Sequence, residues 1–151
     1  MDGQRKRVAS FRELVVYQEA RKLALDIFIK TKAFPKEETY ALTDQVRRSS
    51  RSIGAQIAEA WAKRRYERHF VSKLTDADGE LQETQHWIGV AYDCGYWDRE
   101  TASALRDHCQ KIGRLLGSMV DKAEQFCNTN PQSLRELPVE YVVRDMTGEE
   151  W

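Results

Sequence analysis

Ala41-Leu42-Thr43-Asp44-Gln45-Val46-Arg47-Arg48-Ser49-Ser50-Arg51-Ser52-Ile53-Gly54-Ala55-Gln56-Ile57-Ala58-Glu59-Ala60 reads as one helix with two different faces. At about 100° per residue, Leu42, Val46, Ser49, Ile53, Ile57 and Ala60 fall in one narrow stripe. Arg47, Arg48 and Arg51 project from the other side, followed by Ala55, Ala58 and Ala62. A solvated helix face ordinarily carries Glu and Lys, not small apolar residues beside arginines. The helix is therefore expected to bury one face in its own core and to offer the other to a partner.

The neighbouring segments supply matching helices. Ser10, with Glu13 at the capping-box spacing, opens a first helix expected over 11–32, whose stripe is Leu14, Tyr17, Ala20, Ala24, Ile27, Phe28 and Thr31. Phe34-Pro35 breaks it, and Pro35, followed by Glu37 and Glu38, can start the next helix, which runs to about residue 62. In a third helix over 66–94, Phe70, Leu74, Ala77, Leu81, Thr84, Ile88 and Ala91 alternate steps of four and three. Such a seam suits helices that cross at a shallow angle. Gly95 is a stop signal and Asp98 a cap for a fourth helix over 99–126. Its seam is Ala102, Leu105, Cys109, Ile112, Leu116, Met119, Ala123 and Phe126. Gly113 and Gly117 weaken this helix, which points to close approach of another backbone.

These patterns predict an all-α protein, an up-down-up-down four-helix bundle over 10–127. Residues 1–9 read as a flexible basic arm and 128–151 as an extended, non-helical tail broken by Pro131 and Pro138. Within it, Val139–Val143 suits a short strand or docking segment, and Tyr141 and Trp151 are unusual for a purely disordered tail.

The 151 residues suffice for one domain with a real core, and 32% charged against 41% hydrophobic residues is the balance of a soluble globular chain. No apolar run approaches the length of about 18 residues that a membrane span needs. The basic N-terminus lacks the apolar stretch of a secretory signal. Cys94, Cys109 and Cys127 are odd in number and lack CxxC spacing, so they read as reduced packing residues of a cytoplasmic protein. The net charge of zero conceals a split: residues 1–75 carry 17 Lys+Arg against 9 Asp+Glu, and residues 76–151 carry 7 against 15. Either a basic binding surface or charge pairing between the halves accounts for it.

No Walker A, GxGxxG or GxSxG motif occurs, so no catalytic residue, cofactor or enzymatic activity is expected. Glu83-Thr84-Gln85-His86 has the ExxH spacing of di-iron bundles, but a second copy is missing and the pair flanks the seam instead of occupying it. No metal site is expected. Glu80 and Glu83 lie one turn apart and suit Arg47 or Arg48 of helix two, fixing helix register or a subunit contact. The strongest polyanion candidate is Lys63-Arg64-Arg65 with Arg68 and Lys73, joined by Arg47, Arg48, Arg51 and the Arg5-Lys6-Arg7 arm. Trp61 and Tyr66 interleave with it and can stack on unpaired bases.

The string Phe11-x-x-Leu14-x-x-Tyr17-x-x-Ala20, Phe34-Pro35-Lys36-Glu37-Glu38-x-Tyr40-x-Leu42-x-x-Gln45-Val46-Arg47-Arg48, Ser52-Ile53-x-x-x-Ile57-Ala58-Glu59 and Gly79-Glu80-Leu81-x-Glu83-Thr84-Gln85 resembles the 23S rRNA intervening-sequence protein family, also called four-helix bundle proteins. Val71-Ser72-Lys73-Leu74 and Ile112-Gly113-Arg114-Leu115-Leu116-Gly117-Ser118 are similar to the related accessory protein of diversity-generating retroelements, which shares the bundle. Gly54 stands where that family usually has proline, Gln56 where it has asparagine and Ala60 where it has glycine. The resemblance implies a homopentameric ring. Its retroelement relatives bind nucleic acid and a reverse transcriptase through basic surfaces.

Together these readings predict a non-enzymatic homo-oligomer that binds RNA, DNA or a nucleoprotein such as a reverse transcriptase. The expected phosphate contacts are Arg47, Arg51, Lys63, Arg64, Arg65 and Arg68, and the expected subunit contacts are Arg48, Ala55, Ala58, Ala62, Glu80 and Glu83. The alternative is a protein-interaction scaffold whose arginines pair with Glu80 and Glu83 of a neighbouring subunit and which binds no nucleic acid.

Overall fold

The computed structural model describes residues 4–127 and 135–143. Within them lie four long helices, α1 (Val15–Lys30), α2 (Asp44–Ala62), α3 (Glu67–Asp93) and α4 (Arg99–Asp121), then a single turn, α5 (Ala123–Phe126). Helix α2 packs on α1 and α3, α3 packs on α4, and α4 returns to α1. Two short strands, β1 (Arg5–Val8) and β2 (Arg135–Pro138), form an antiparallel pair.

The α3 seam is buried as its spacing predicts, from Phe70 to Ala91. The predicted stripe of helix two is buried too, with Ser50, Gly54 and Trp61 added to it. Gly54 faces the Tyr17 ring, which an added Cβ would meet at 3.5 Å. Between the two helices, the Ser49 and Thr84 hydroxyls share a 2.9 Å hydrogen bond, and both residues are fully buried. Thr84 Oγ1 also lies 2.9 Å from the Glu80 carbonyl. The pair holds polar atoms in register within an apolar seam.

Both ends of the α3–α4 connection follow local rules. Gly95 takes φ 76°, its N–H donates to the Tyr92 carbonyl at 2.9 Å, and the Tyr96 N–H donates to the Ala91 carbonyl at 3.0 Å. This is a Schellman stop, which needs a left-handed residue at the glycine. Asp98 Oδ1 accepts from the Thr101 N–H at 2.7 Å and caps α4.

Elsewhere tertiary contacts override local signals. The Ser10–Glu13 capping box forms, but it closes a 3-10 turn, Phe11–Glu13, instead of a continuous helix over 11–32. Leu14 is extended and bridges Val142, and the Glu13 carbonyl accepts from the Val143 N–H at 2.7 Å. Leu14, Ala20, Ile27 and Thr31 of the expected first stripe are buried, Val16 and Leu23 join them, and Tyr17, Ala24 and Phe28 are only half-buried. After Pro35, a 3-10 turn (Lys36–Glu38) and a π-helical turn (Thr39–Thr43) precede α2. The expected fourth helix breaks at Lys122.

The arm expected over 1–9 is corrected within 5–8. Arg5–Val8 pairs with Arg135–Pro138, and Val8 and Leu137 are fully buried. The expected tail docks over 135–143. Tyr141 packs edge-on against Phe126, with ring centroids 5.0 Å apart, and its hydroxyl lies 2.6 Å from Ser118 Oγ. Arg135 donates to the Gln125 and Glu124 carbonyls at the end of α5. Trp151 lies outside the described residues.

Helices α1 and α4 are joined by a charged cluster. Glu19 Oε2 accepts from His108 Nε2 at 2.7 Å, and Glu19 Oε1 lies 3.2 Å from Lys111 and 3.6 Å from Lys22. Burial pushes the Glu19 carboxyl up. The His108 and Lys111 hydrogen bonds and the Lys111 and Lys22 charges outweigh it and hold its pKa below the usual 4.5. The stabilisation from this depressed group is present above pH 4.5 and is lost as pH falls through the folded-state value. Glu19→Gln should remove that component, so the gap between parent and variant stability closes as urea melts are moved into acid. A constant gap would show that Glu19 titrates alike in both states. Thr84→Val should cost about 1–2 kcal/mol, and Ser49→Ala with Thr84→Val should cost less than the two singles summed. Simple additivity in urea melts would count against the shared bond.

Candidate nucleic-acid interface

The basic cluster is built on the tight connection between α2 and α3. Lys63 closes α2, the Arg64 N–H donates to the Trp61 carbonyl, and the Tyr66 N–H returns to the Lys63 carbonyl at 3.1 Å. Tyr66 then starts α3 in an extended conformation, with no side-chain cap on the helix. The first N–H groups of a long helix therefore face the same end as the basic side chains, an arrangement favourable to anions.

Arg65, Tyr66, Arg68, His69 and Ser72 line an open basin of about 770 Å³ that also includes Glu67. Arg65 sits 5.7 Å from the Tyr66 ring centroid, and Tyr66 packs on His69 at 5.4 Å. Tyr66 is 57% exposed. Lys63, Arg65 and Arg68 are exposed and form no ion pair among the described residues.

The structure separates Arg64 from this group. Only 5% of it is exposed; its Nη1 donates to the Trp61 carbonyl at 2.8 Å and its guanidinium lies 4.2 Å from the Trp61 ring centroid. Burial draws its pKa below the usual guanidinium value. Arg64 is thus a packing residue that ties the connection to α2, and it is not on the exposed surface where the sequence reading placed it. Lys73 is also engaged, 2.9 Å from Glu59 and 3.7 Å from Asp76. The Glu59 hydrogen bond holds the Lys73 ammonium above its usual pKa and the Glu59 carboxyl below its own. In the β1 strand, Arg7 pairs with Glu136 at 3.4 Å and Lys6 donates to the Val143 carbonyl.

The arginines of α2 part company as well. Arg47 Nε donates to Thr31 Oγ1 at 2.8 Å, and its guanidinium lies 4.8 Å from the Phe28 ring centroid. It fastens α2 to the end of α1. Arg48 Nη2 reaches both Glu83 oxygens, at 3.1 and 2.9 Å, so this pair closes within the chain. Arg51 is exposed beside Phe28. Glu80 joins none of the arginines among the described residues; its Oε2 is shielded and has no hydrogen-bond partner among them.

Ala55 and Ala58 border a groove of about 460 Å³ between α1 and α2, with Leu25, Phe28 and Arg51 on its walls. Ala62 is exposed at the end of α2. Leu25 and Ile29, 59% and 55% exposed, extend this apolar surface. The sequence reading missed them, although their spacing of four outside the buried stripe was the available signal.

Other titratable groups offer little chemistry. His86 packs on Trp87, 4.7 Å between ring centroids, and Glu83 is held by Arg48. Among the described residues, no group of three His, Cys, Asp or Glu side chains is placed to hold a metal. Burial pushes the Cys109 thiol up to about 12 and the Cys127 thiol up to about 11, while Cys94 is exposed. No helix among the described residues is long and apolar enough to cross a membrane.

The family model described as 23S rRNA-intervening sequence protein matches residues 12–118. The chain belongs to this family. A crystal structure from Bacteroides thetaiotaomicron, of a protein of unknown function from the S23 ribosomal protein family, is similar at 27% identity and a TM-score of 0.62. The match covers 70% of this chain and 98% of that one. A comparison with curated protein sequences finds no match.

The division between buried and exposed arginines is measurable. Arg64→Ala should destabilise the protein by about 2 kcal/mol or more, through lost packing on Trp61 and an exposed cavity. Arg65→Ala and Arg68→Ala should each stay within about 0.5 kcal/mol of the parent. Equal effects for all three in urea melts would contradict a buried role for Arg64 and a surface role for Arg65 and Arg68.

Proposed function

We propose that this protein is a non-catalytic, cytoplasmic homo-oligomer, a pentameric ring of up-down-up-down bundles, that binds single-stranded nucleic acid or its nucleoprotein. The observation that carries the reading is the exposed trio Lys63, Arg65 and Arg68 around the uncapped start of α3, with Tyr66 exposed among them. Guanidinium and ammonium groups take phosphate, the helix start adds N–H donors, and Tyr66 offers a stacking face that tolerates any base. The groove beside Ala55 and Ala58, continued by exposed Leu25 and Ile29, supplies the self-association surface. A ring repeats a modest cationic patch and converts it into a multivalent one. Family membership supports an assembly with an RNA connection without defining the partner.

The alternative scaffold, with Arg48 consumed by a neighbouring subunit's Glu83, loses support because Arg48 and Glu83 already pair within the chain. Arg47 is likewise engaged with Thr31.

Light-scattering mass across a size-exclusion peak, with and without mixed single-stranded RNA and DNA, tests both parts. A multimer that shifts with nucleic acid at low salt and reverts at high salt is expected. Each neutralised phosphate of a single strand contributes a slope of about −0.7 in log affinity against log salt. Arg65→Glu with Arg68→Glu should abolish the shift and preserve the assembly mass. Unchanged retention by that variant would refute the interface, and a monomer at micromolar concentration would refute the ring.

A further inference from the structure

A second groove, of about 440 Å³, lies between α3 and α4, away from the basic connection. Gln85, Ile88, Gly89 and Tyr92 line it from α3, and Arg99, Ala102, Ser103 and Arg106 from α4. Its size is that of a small-molecule site. Arg99 and Arg106 lie seven positions apart, which places them on one helix face about 10 Å apart along the axis. Neither arginine has an ion pair or hydrogen bond among the described residues, although α4 also carries Asp107 and Glu100. The nearby Asp98 carboxylate is occupied with the Thr101 N–H.

The walls combine three kinds of chemistry. Two unpaired guanidiniums attract phosphate, and the fork geometry of arginine suits bidentate contact. Tyr92, 47% exposed, presents an aromatic ring at the end nearest the α3–α4 turn. Gln85 and Ser103, two turns and one turn further along their helices, add an amide and a hydroxyl. Gly89 keeps the groove open. A Cβ there would meet nothing within 4 Å, so the helix's own packing does not require glycine, even though glycine weakens a helix interior.

We propose that this groove binds one nucleotide unit, its base against Tyr92 beside the Arg99 guanidinium and its phosphate on Arg106 with Gln85 and Ser103. A dicarboxylate would leave the aromatic wall unused, and a free phosphate would leave most of the volume empty. The unit can be a free nucleotide or part of a strand, since both present the same base and phosphate. The assignment does not rest on the Lys63–Arg65–Arg68 surface.

Isothermal titration of the full chain with adenosine 5′-monophosphate, adenosine, inorganic phosphate and a short oligoadenylate tests the site. The nucleotide or the oligoadenylate should bind more tightly than adenosine or phosphate. Binding of the strand alone, kept in Arg65→Glu with Arg68→Glu and lost in Gly89→Leu, would identify the natural source as a strand. Arg106→Gln should weaken that binding by about tenfold or more. Gly89→Leu should fill the groove and abolish binding while its melting temperature stays at or above the parent's, which separates blockage from misfolding. Arg65→Glu with Arg68→Glu should leave mononucleotide affinity unchanged. Parent-like affinity in both Gly89→Leu and Arg106→Gln would overturn the proposal, as would binding no tighter than that of phosphate. Loss of nucleotide only in the Arg65/Arg68 variant would move the ligand to the α2–α3 connection and overturn it too.

Discussion

The packing of α2 on α3 is the constraint from which the other surfaces follow. Ile53 and Ile57 on one helix and Leu74 and Leu81 on the other are fully buried, and Ser49 meets Thr84 between them. Burial of the apolar stripe fixes the rotation of α2, so its arginines have no choice of side. Arg48 is delivered to Glu83, Arg47 to the end of α1, and Arg51 to the outer groove. The same rotation brings the short connection after Ala62 to the point where α3 begins, and there the unpaired cations collect.

Electrostatics in this protein therefore divides by burial. Arg64, stacked on Trp61, serves cohesion; Arg65, one position later, serves the surface. Adjacent residues of one basic run have different roles because a helix end turns each side chain to a different environment. The cluster around Glu19 is a third use of charge, a cross-tie between α1 and α4 that depends on pH.

What was legible in the sequence depended on how local the deciding forces were. The α3 seam from Phe70 to Ala91 was readable in full, because a regular helix translates spacing directly into burial. The stop at Gly95 and the cap at Asp98 were readable for the same reason. The start of α1 was not legible because Leu14 is recruited by Val142, remote in sequence. Arg5–Val8 resembled a solvated arm because three of its four residues are cations, and its partner strand is remote in sequence. For the surface, residue type suggested a polyanion partner, but only the folded chain removes Arg47, Arg64 and Lys73 from the exposed set. The α3/α4 groove was not read at all, since Tyr92 and Arg99 come together only after the helices have turned back at Gly95.

The pairing of β1 with β2 has a consequence for the order of folding. Arg5 opposes Pro138, so nearly the whole chain forms the loop that this contact closes. Contacts within and between successive helices cost far less chain entropy and can form first. In chain order β1 precedes all four long helices and its partner strand follows them. At the start of α1, Leu14 stands outside the helix in a strand contact with Val142, a trade whose entropic cost grows with the length of chain between them. These contacts bury Val8, Leu137 and Tyr141.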